Sequence, residues 1–454
     1  MKRITSTQFV LYSMKRRQFL KLAGAAPMAG CWIDAEGAVE FPSVDFDSFF
    51  ETSHPEVLAL GKRVMEKCVL GMLREPKPPF TRTWVAPGGP HYLGQWIWDT
   101  MFVLDHLCLV PGREAQIRGI FQNYWDFQHR WNAKEPEHAH GMITVAIKTH
   151  PQEERKFSQI PILAWGMERV FQRNGDRKLL EDGLPGIERF HEWYWRERDL
   201  HDNGLISVGS YSGVVQHARW ETFDYECNMD NLKLTAHPKR EGSGEGTWYG
   251  DLCVPGNTAY LIMGERSLAR LADTMGDKAM AARRRERIAK GVEGMRKHMW
   301  DEHAGAFLTV KRDTLEKLPV ITIGSWIPLA AGVPTDAQAK RMAEVLGSSV
   351  WQTPLPVPTM DPRDSRWKSG SFWRGDVWPA TNYQIATGLM AYGHRDLAAD
   401  IADKTVANAL KNGLSEHYDS VTGKALGVHD YSMASTILAM MLDGLTTQHR
   451  IRLR

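Results

Sequence analysis

Ile160-Pro161-Ile162-Leu163-Ala164-Trp165-Gly166-Met167-Glu168-Arg169-Val170-Phe171-Gln172-Arg173-Asn174-Gly175-Asp176 is the stretch on which the fold turns. Ile160, Leu163, Ala164, Met167, Val170 and Phe171 recur at helical spacing, which lines one face of a helix and does not fit a strand. Gly175 supplies a residue that tolerates the left-handed conformation at a helix end, so the segment stops there. Outward from it the pattern repeats. Ala259, Ile262, Met263, Leu268, Leu271 and Met275 share a face and stop at Gly276. Further amphipathic segments lie near 54–73, 98–109, 113–130, 178–196, 278–299, 319–331, 335–347, 377–392, 395–412 and 430–447. Counting by periodicity gives about twelve helices, with no sustained period-two pattern. Turns such as Asn174-Gly175-Asp176 and Tyr392-Gly393-His394 are short, which favours antiparallel neighbours. The predicted fold is therefore all-α: six helical hairpins closed into an (α/α)6 barrel. An open solenoid would show self-similarity at roughly 34 or 40 residues, which the sequence lacks.

Composition narrows the function. Hydrophobic residues at 43% and charged ones at 24% are enough for a large buried core. The 56 basic and 54 acidic side chains are spread along the chain without a basic stripe, which argues against nucleic acid as a partner. Tryptophan is abundant, 17 against 12 tyrosines. Indoles either fill a helical core or stack on the C–H faces of sugars, and only their positions can decide.

The first residues read as an export signal. Lys15-Arg16-Arg17-Gln18-Phe19-Leu20-Lys21 resembles a twin-arginine motif, and an apolar run from Leu22 to Gly30 follows. Met28-Ala29-Gly30-Cys31 resembles a lipobox, with Cys31 as the lipidated residue. The expected organisation is a signal over 1–31, a linker over 32–53 and the barrel over 54–450, working in the periplasm or otherwise outside the cytoplasm. Membrane contact is expected only through a lipid on Cys31. Cys68, Cys108, Cys227 and Cys253 have spacings that fit neither a zinc site nor a disulfide framework. One disulfide or buried free thiols both suit them.

Long irregular stretches at 76–97, 131–156, 200–250 and 349–374 interrupt the helices, and loops of that length tend to be functional. Two carboxylates on distant segments are what metal-free glycoside hydrolysis needs: one protonates the leaving oxygen, the other activates water on the opposite face. Tyr225-Glu226-Cys227-Asn228-Met229-Asp230-Asn231 offers the first. Met229 and Asn231 would desolvate Asp230 and favour its protonated form, although Asp beside Asn also suits a turn or helix cap. Gly413-Leu414-Ser415-Glu416-His417-Tyr418-Asp419-Ser420-Val421-Thr422-Gly423 offers the second: Glu416 just beyond a helix end, Asp419 serving the following turn. His138, His140 and His150, near Glu135 and Glu137, lack ligand spacing, so neither a metal nor a cofactor is expected.

Taken together, these segments resemble glycoside hydrolase family 63, the processing α-glucosidases, and the related mannosylglycerate and glucosylglycerate hydrolases. Glu226 to Asn231 is similar to the family's Glu-x-Gly-x-Asp-Asn, with Asn228 for Gly. Leu414 to Gly423 is loosely similar to its Phe-x-Glu-Tyr-Phe-Asp-Pro-x-Thr-Gly. Phe372-Trp373-Arg374-Gly375-Asp376-Val377-Trp378-Pro379 with Asn382-Tyr383 is similar to its Tyr-Trp-Arg-Gly-Pro-Val-Trp…Asn-Tyr run. Tyr92…Trp96-Ile97-Trp98-Asp99 and Ser158-Gln159-Ile160-Pro161 complete an ordered set of five over roughly residues 80–445.

The resemblance implies an inverting, exo-acting α-glycoside hydrolase acting on a small carbohydrate, a terminal α-linked glucose or mannose. Asp230 would be general acid and Glu416 general base. Tyr92, Trp96, Trp98, Asp99, Gln159, Asn231, Trp373, Arg374, Gly375 and Trp378 would line the sugar pocket, with Glu226 supporting the acid. Three departures stand out. Asp376 replaces a Pro, where it could pair with Arg374 or meet the substrate. His417 stands where Tyr is usual, and Met433 follows Tyr431-Ser432 where relatives often place a Trp that would shape the pocket. A polysaccharide lyase or unsaturated-uronide hydrolase on the same toroid, and a glycan-binding lipoprotein without catalysis, are the alternatives.

Overall fold

A computed structural model describes residues 45–46, 49–89, 92–132, 140–149, 158–211, 239–240 and 247–454. Eleven α-helices are formed among these residues: α1 Pro55–Arg63, α2 Ile97–Leu107, α3 Glu114–Asn132, α4 Leu163–Asn174, α5 Arg177–Arg198, α6 Pro255–Met275, α7 Lys278–His298, α8 Asp336–Leu346, α9 Pro379–Ala391, α10 Arg395–Asn412 and α11 Ser435–Leu442. The first continues as a π turn, Val64–Val69, and a 3₁₀ turn, Leu70–Met72. Gly175 and Gly276 close α4 and α6 at φ 67° and 83°, as their sequence context predicts. Asp277 then caps α7 by accepting from the Met280 amide at 2.8 Å.

The predicted helix over 319–331 is instead two 3₁₀ turns, Ile323–Ser325 and Ile327–Leu329. Its apolar residues do face inward, but Pro328 offers no amide to an α-helical ladder. Reciprocal hydrogen bonds between Thr322 and Ser325 tighten the first turn.

Contacts between elements close a ring. α2 packs on α4, α4 on α6, α6 on Ile327–Leu329, those turns on α9, α9 on α11, and α11 back on α2. The elements alternate along the chain between this inner ring and an outer one made of α1, α3, α5, α7, α8 and α10. That alternation is the six-hairpin (α/α)6 toroid. Burial follows from it. Every residue of α2 is buried, as a helix surrounded by neighbours requires, whereas α7 keeps a broad polar face outward. At its crowded places the ring needs glycine: a Cβ on Gly388 in α9 would lie 2.5 Å from the Leu329 carbonyl carbon.

Short strands, which periodicity did not reveal, decorate the loops. Ser207–Tyr211, Lys239–Arg240 and Thr247–Cys253 pair in one sheet that also takes Val310–Lys311. Gly94–Trp96 pairs with Ala146–Lys148 just before α2. Ser415–Tyr418 pairs with Ala425–His429, so Glu416, just beyond the end of α10 as expected, sits on a strand of a hairpin. The inner elements share a direction, and their N-terminal ends bring residues 92–99, 159, 372–378, 415–418 and 431–432 to one end of the toroid. Cys68, Cys108 and Cys253 are free thiols; Cys31 and Cys227 lie outside the described residues.

Candidate active site

Glu416 is 1% exposed, and both carboxylate oxygens have defined partners. The Tyr92 hydroxyl donates to Oε1 at 2.8 Å, and the Val428 amide donates to Oε2 at 3.0 Å. The second contact depends on an irregularity in the hairpin. Between Ser415 and His417 the pairing shifts, with Ser415 opposite His429 and His417 opposite Leu426. The extra residue on the return strand turns the Val428 N–H toward the carboxylate, which is how a β-bulge re-aims a group. Gly427 makes this feasible. It lies at φ 73°, and a Cβ there would sit 2.3 Å from Glu416 Oε2. Gly427 was missed in the sequence, where one glycine in a short strand carries no distinctive signal.

Asp99, in the first turn of α2, is the second buried carboxyl here, 1% exposed. Ser432 donates to its Oδ1 at 2.7 Å. Burial pushes Asp99 up to about 7; hydrogen bonds from Ser432 and Tyr431 oppose the shift, and the neighbouring Glu416 charge adds to it. Gln159 serves the same helix. Its Oε1 accepts from the Trp98 amide at 2.9 Å, so this oxygen caps the start of α2.

Aromatic rings form one wall. Trp373 and Trp378 stack at 4.1 Å with 11° between planes, and Trp98 lies 6.0 and 6.4 Å from them. Trp378 is in turn stacked on the His417 imidazole at 5.1 Å and 18°. Tyr92 meets Trp96 edge-on at 5.4 Å, and Trp96, held opposite Ala146, is half-buried. Trp98, Trp373 and Trp378 are nearly buried, at 4%, 2% and 2%, so they pack the core as well as form the wall.

The 370–376 turn carries part of this wall. Gly375 is there because backbone passes close by: a Cβ would lie 2.6 Å from the Lys368 carbonyl oxygen. Arg374 donates to Ser371 Oγ at 3.1 Å, while its buried Nε has no hydrogen-bond partner among the described residues. Asp376 does not pair with Arg374. It accepts from the amides of Gly370 at 2.7 Å and Phe372 at 2.6 Å, and its Oδ2 lies 2.9 Å from His417 Nδ1. Met433 is buried at 2% in the 3₁₀ turn Ser432–Ala434 that precedes α11.

The structure thus gathers Glu416, Tyr92, Trp96, Trp98, Asp99, Gln159, Trp373, Arg374, Gly375 and Trp378 at one end of the ring. Asp230, Asn231 and Glu226 lie outside the described residues, as do His138 and His150. Among the described residues no cluster of His, Cys, Asp and Glu could hold a metal ion, and no helix is long and apolar enough to cross a membrane. A buried carboxylate with both oxygens held in fixed orientation, near a second buried carboxyl, can take a proton from a group placed against it.

Comparison with known proteins agrees with this chemistry. Residues 92–434 match the family model of the mannosylglycerate hydrolase MGH1-like glycoside hydrolase domain. The chain is 30% identical to mannosylglycerate hydrolase MGH1 of Selaginella moellendorffii, over 87% of this chain and 88% of that protein. It is 29% identical to a mannosylglycerate hydrolase of Thermus thermophilus, over 82% and 98%. The fold is similar to the crystal structure of a GH63 mannosylglycerate hydrolase from Thermus thermophilus in complex with glucose, at TM-score 0.65, covering 83% of this chain and 97% of that one with 20% identity. Neutral trehalase Nth1 from Saccharomyces cerevisiae shares the fold at TM-score 0.56 and 17% identity, covering 83% and 77%.

Two outcomes follow from the geometry. Asp99 binds its proton more tightly when folded, so its contribution to stability is full below pH 3.8 and is lost as pH rises to about 7. Asp99→Asn removes that titration. Thermal unfolding across this range is expected to show the variant gaining on the wild type as pH rises; a constant difference would contradict the shift. Gly427→Ala is expected to displace the Glu416 carboxylate and lower kcat by about a hundredfold, with unfolding still cooperative. Unchanged kcat would mean that this orientation is irrelevant.

Proposed function

Because this chain belongs to the mannosylglycerate hydrolase MGH1-like glycoside hydrolase family, we propose that it removes a terminal α-linked mannose or glucose from a small glycoside, a glycosylglycerate above all, with inversion at the anomeric carbon. The observation that carries this reading is the buried Glu416, anchored at both oxygens and close enough to the buried Asp99 for its charge to act on it. The names of the similar proteins favour a glycerate aglycone.

In this mechanism Asp230 gives its proton to the glycosidic oxygen as the bond to the anomeric carbon breaks. Glu416 takes a proton from a water molecule whose oxygen attacks that carbon from the opposite face. Tyr92 and the Val428 amide point the Glu416 lone pairs and spare the reaction their reorganisation. Trp98 and Trp373 offer apolar surface to the sugar ring, Trp378 backs Trp373 from between it and His417, and Asp99 meets the sugar hydroxyls. Arg374 carries a fixed positive charge of the kind an anionic aglycone needs.

We also propose that residues 1–31 direct twin-arginine export, that 32–53 is a linker, and that Cys31 carries a lipid holding the 54–450 barrel at a membrane outside the cytoplasm.

A screen of α-mannosyl- and α-glucosylglycerate and α-linked disaccharides is expected to find a cleaved substrate. Asp230→Asn and Glu416→Gln should each lower its kcat by about a hundredfold to ten-thousandfold; full activity in either variant would sink its assignment. Cys31→Ser is expected to move the protein from the membrane to the soluble fraction of the exporting cell. An unaltered distribution would remove the lipid anchor.

A further inference from the structure

Two of the departures from the family pattern, Asp376 and His417, are in contact. His417 Nδ1 lies 2.9 Å from Asp376 Oδ2, an ion-pair contact outside hydrogen-bond alignment; Asp376 is fully buried and His417 is 5% exposed. Each is also fixed to something else. The Asp376 carboxylate accepts from the Gly370 and Phe372 amides and so closes the turn that carries Trp373. Phe372 occupies φ 59°, a conformation costly to a bulky L-residue, and its amide is one of the two that Asp376 accepts. The His417 ring stacks on Trp378, which stacks on Trp373, while Phe372 meets both His417 and Trp378 edge-on at 5.1 Å.

His417 directly follows Glu416 on the strand. The neighbouring residues Val377 and Tyr418 exchange both backbone hydrogen bonds, at 2.8 and 2.9 Å. One backbone bridge and one side-chain pair therefore join the strand that holds Glu416 to the segment that holds the tryptophan wall. We propose that Asp376 and His417 act as one positioning unit, setting the register between the Glu416 carboxylate and the sugar ring that lies on the wall. Neither residue touches the reacting atoms. The inference rests on the reading of Glu416 as general base.

A double-mutant cycle on the full chain tests it, with the best-cleaved α-glycoside of the screen as substrate. Asp376→Asn keeps the side-chain volume and one acceptor, and His417→Phe keeps the ring stack but has no Nδ1. Each variant is expected to lower kcat about tenfold while KM changes less than about threefold, and the double variant to be no worse than the weaker single. Losses that multiply in the double variant would overturn the proposal. So would lowered unfolding temperatures with kcat unmoved, the mark of a merely structural pair. A wild-type chain that hydrolyses none of the glycosides overturns the functional reading and this one with it; an active chain with multiplying losses overturns this one alone.

Discussion

The site depends on one carboxylate having both its oxygens held. Glu416 keeps its place because residue 427 has no side chain: a Cβ there would lie 2.3 Å from Oε2. Glycine leaves that volume to the carboxylate, and the bulge aims the Val428 amide at it. Tyr92, from the far end of the sequence, holds the other oxygen. The toroid makes that meeting routine, since α2 and α11 are neighbours in the closed ring although they lie near opposite ends of the barrel sequence. Confinement has a consequence for the second acid. Asp99 is buried near the Glu416 charge, and its carboxyl rises to about 7. A neutral Asp99 can donate to a sugar hydroxyl as well as accept from one, which an ionised carboxylate cannot.

Much of the fold was legible in the sequence because the physical signal is long. A helix such as α4 repeats its apolar face over several turns and ends at Gly175, so periodicity and punctuation agree. The 319–331 segment shows the limit of that signal. Its apolar pattern reports burial, and burial is the same for a helix and for two 3₁₀ turns. The hairpin around Glu416 was illegible for a different reason. Its strands are short, the first is buried throughout at Ser415, Glu416, His417 and Tyr418, and the bulge breaks any alternation.

Sequence motifs pointed to residues that the structure places at one end of the ring, apart from Asp230 and Asn231, which lie outside the described residues, but the contacts each one makes were not legible. Gln159 was expected to line the sugar pocket; the structure adds that its Oε1 caps the start of α2 through the Trp98 amide. Core packing and sugar stacking were competing explanations for the tryptophans; the structure allows both, because Trp373 and Trp378 are nearly buried and still form the wall. Asp376 and His417 each read as an isolated oddity. Only folding shows that they face each other, since no local pattern links a turn residue to one on a distant strand.

The central claim is that Glu416 activates water for attack opposite the leaving group. It is tested most directly by following hydrolysis of the cleaved α-glycoside by proton NMR from the first turnovers. With Glu416 as base, the β-anomer of the free sugar appears first and mutarotates afterwards. Initial release of the α-anomer would mean retention through a covalent intermediate and would contradict the assignment of Glu416 as base.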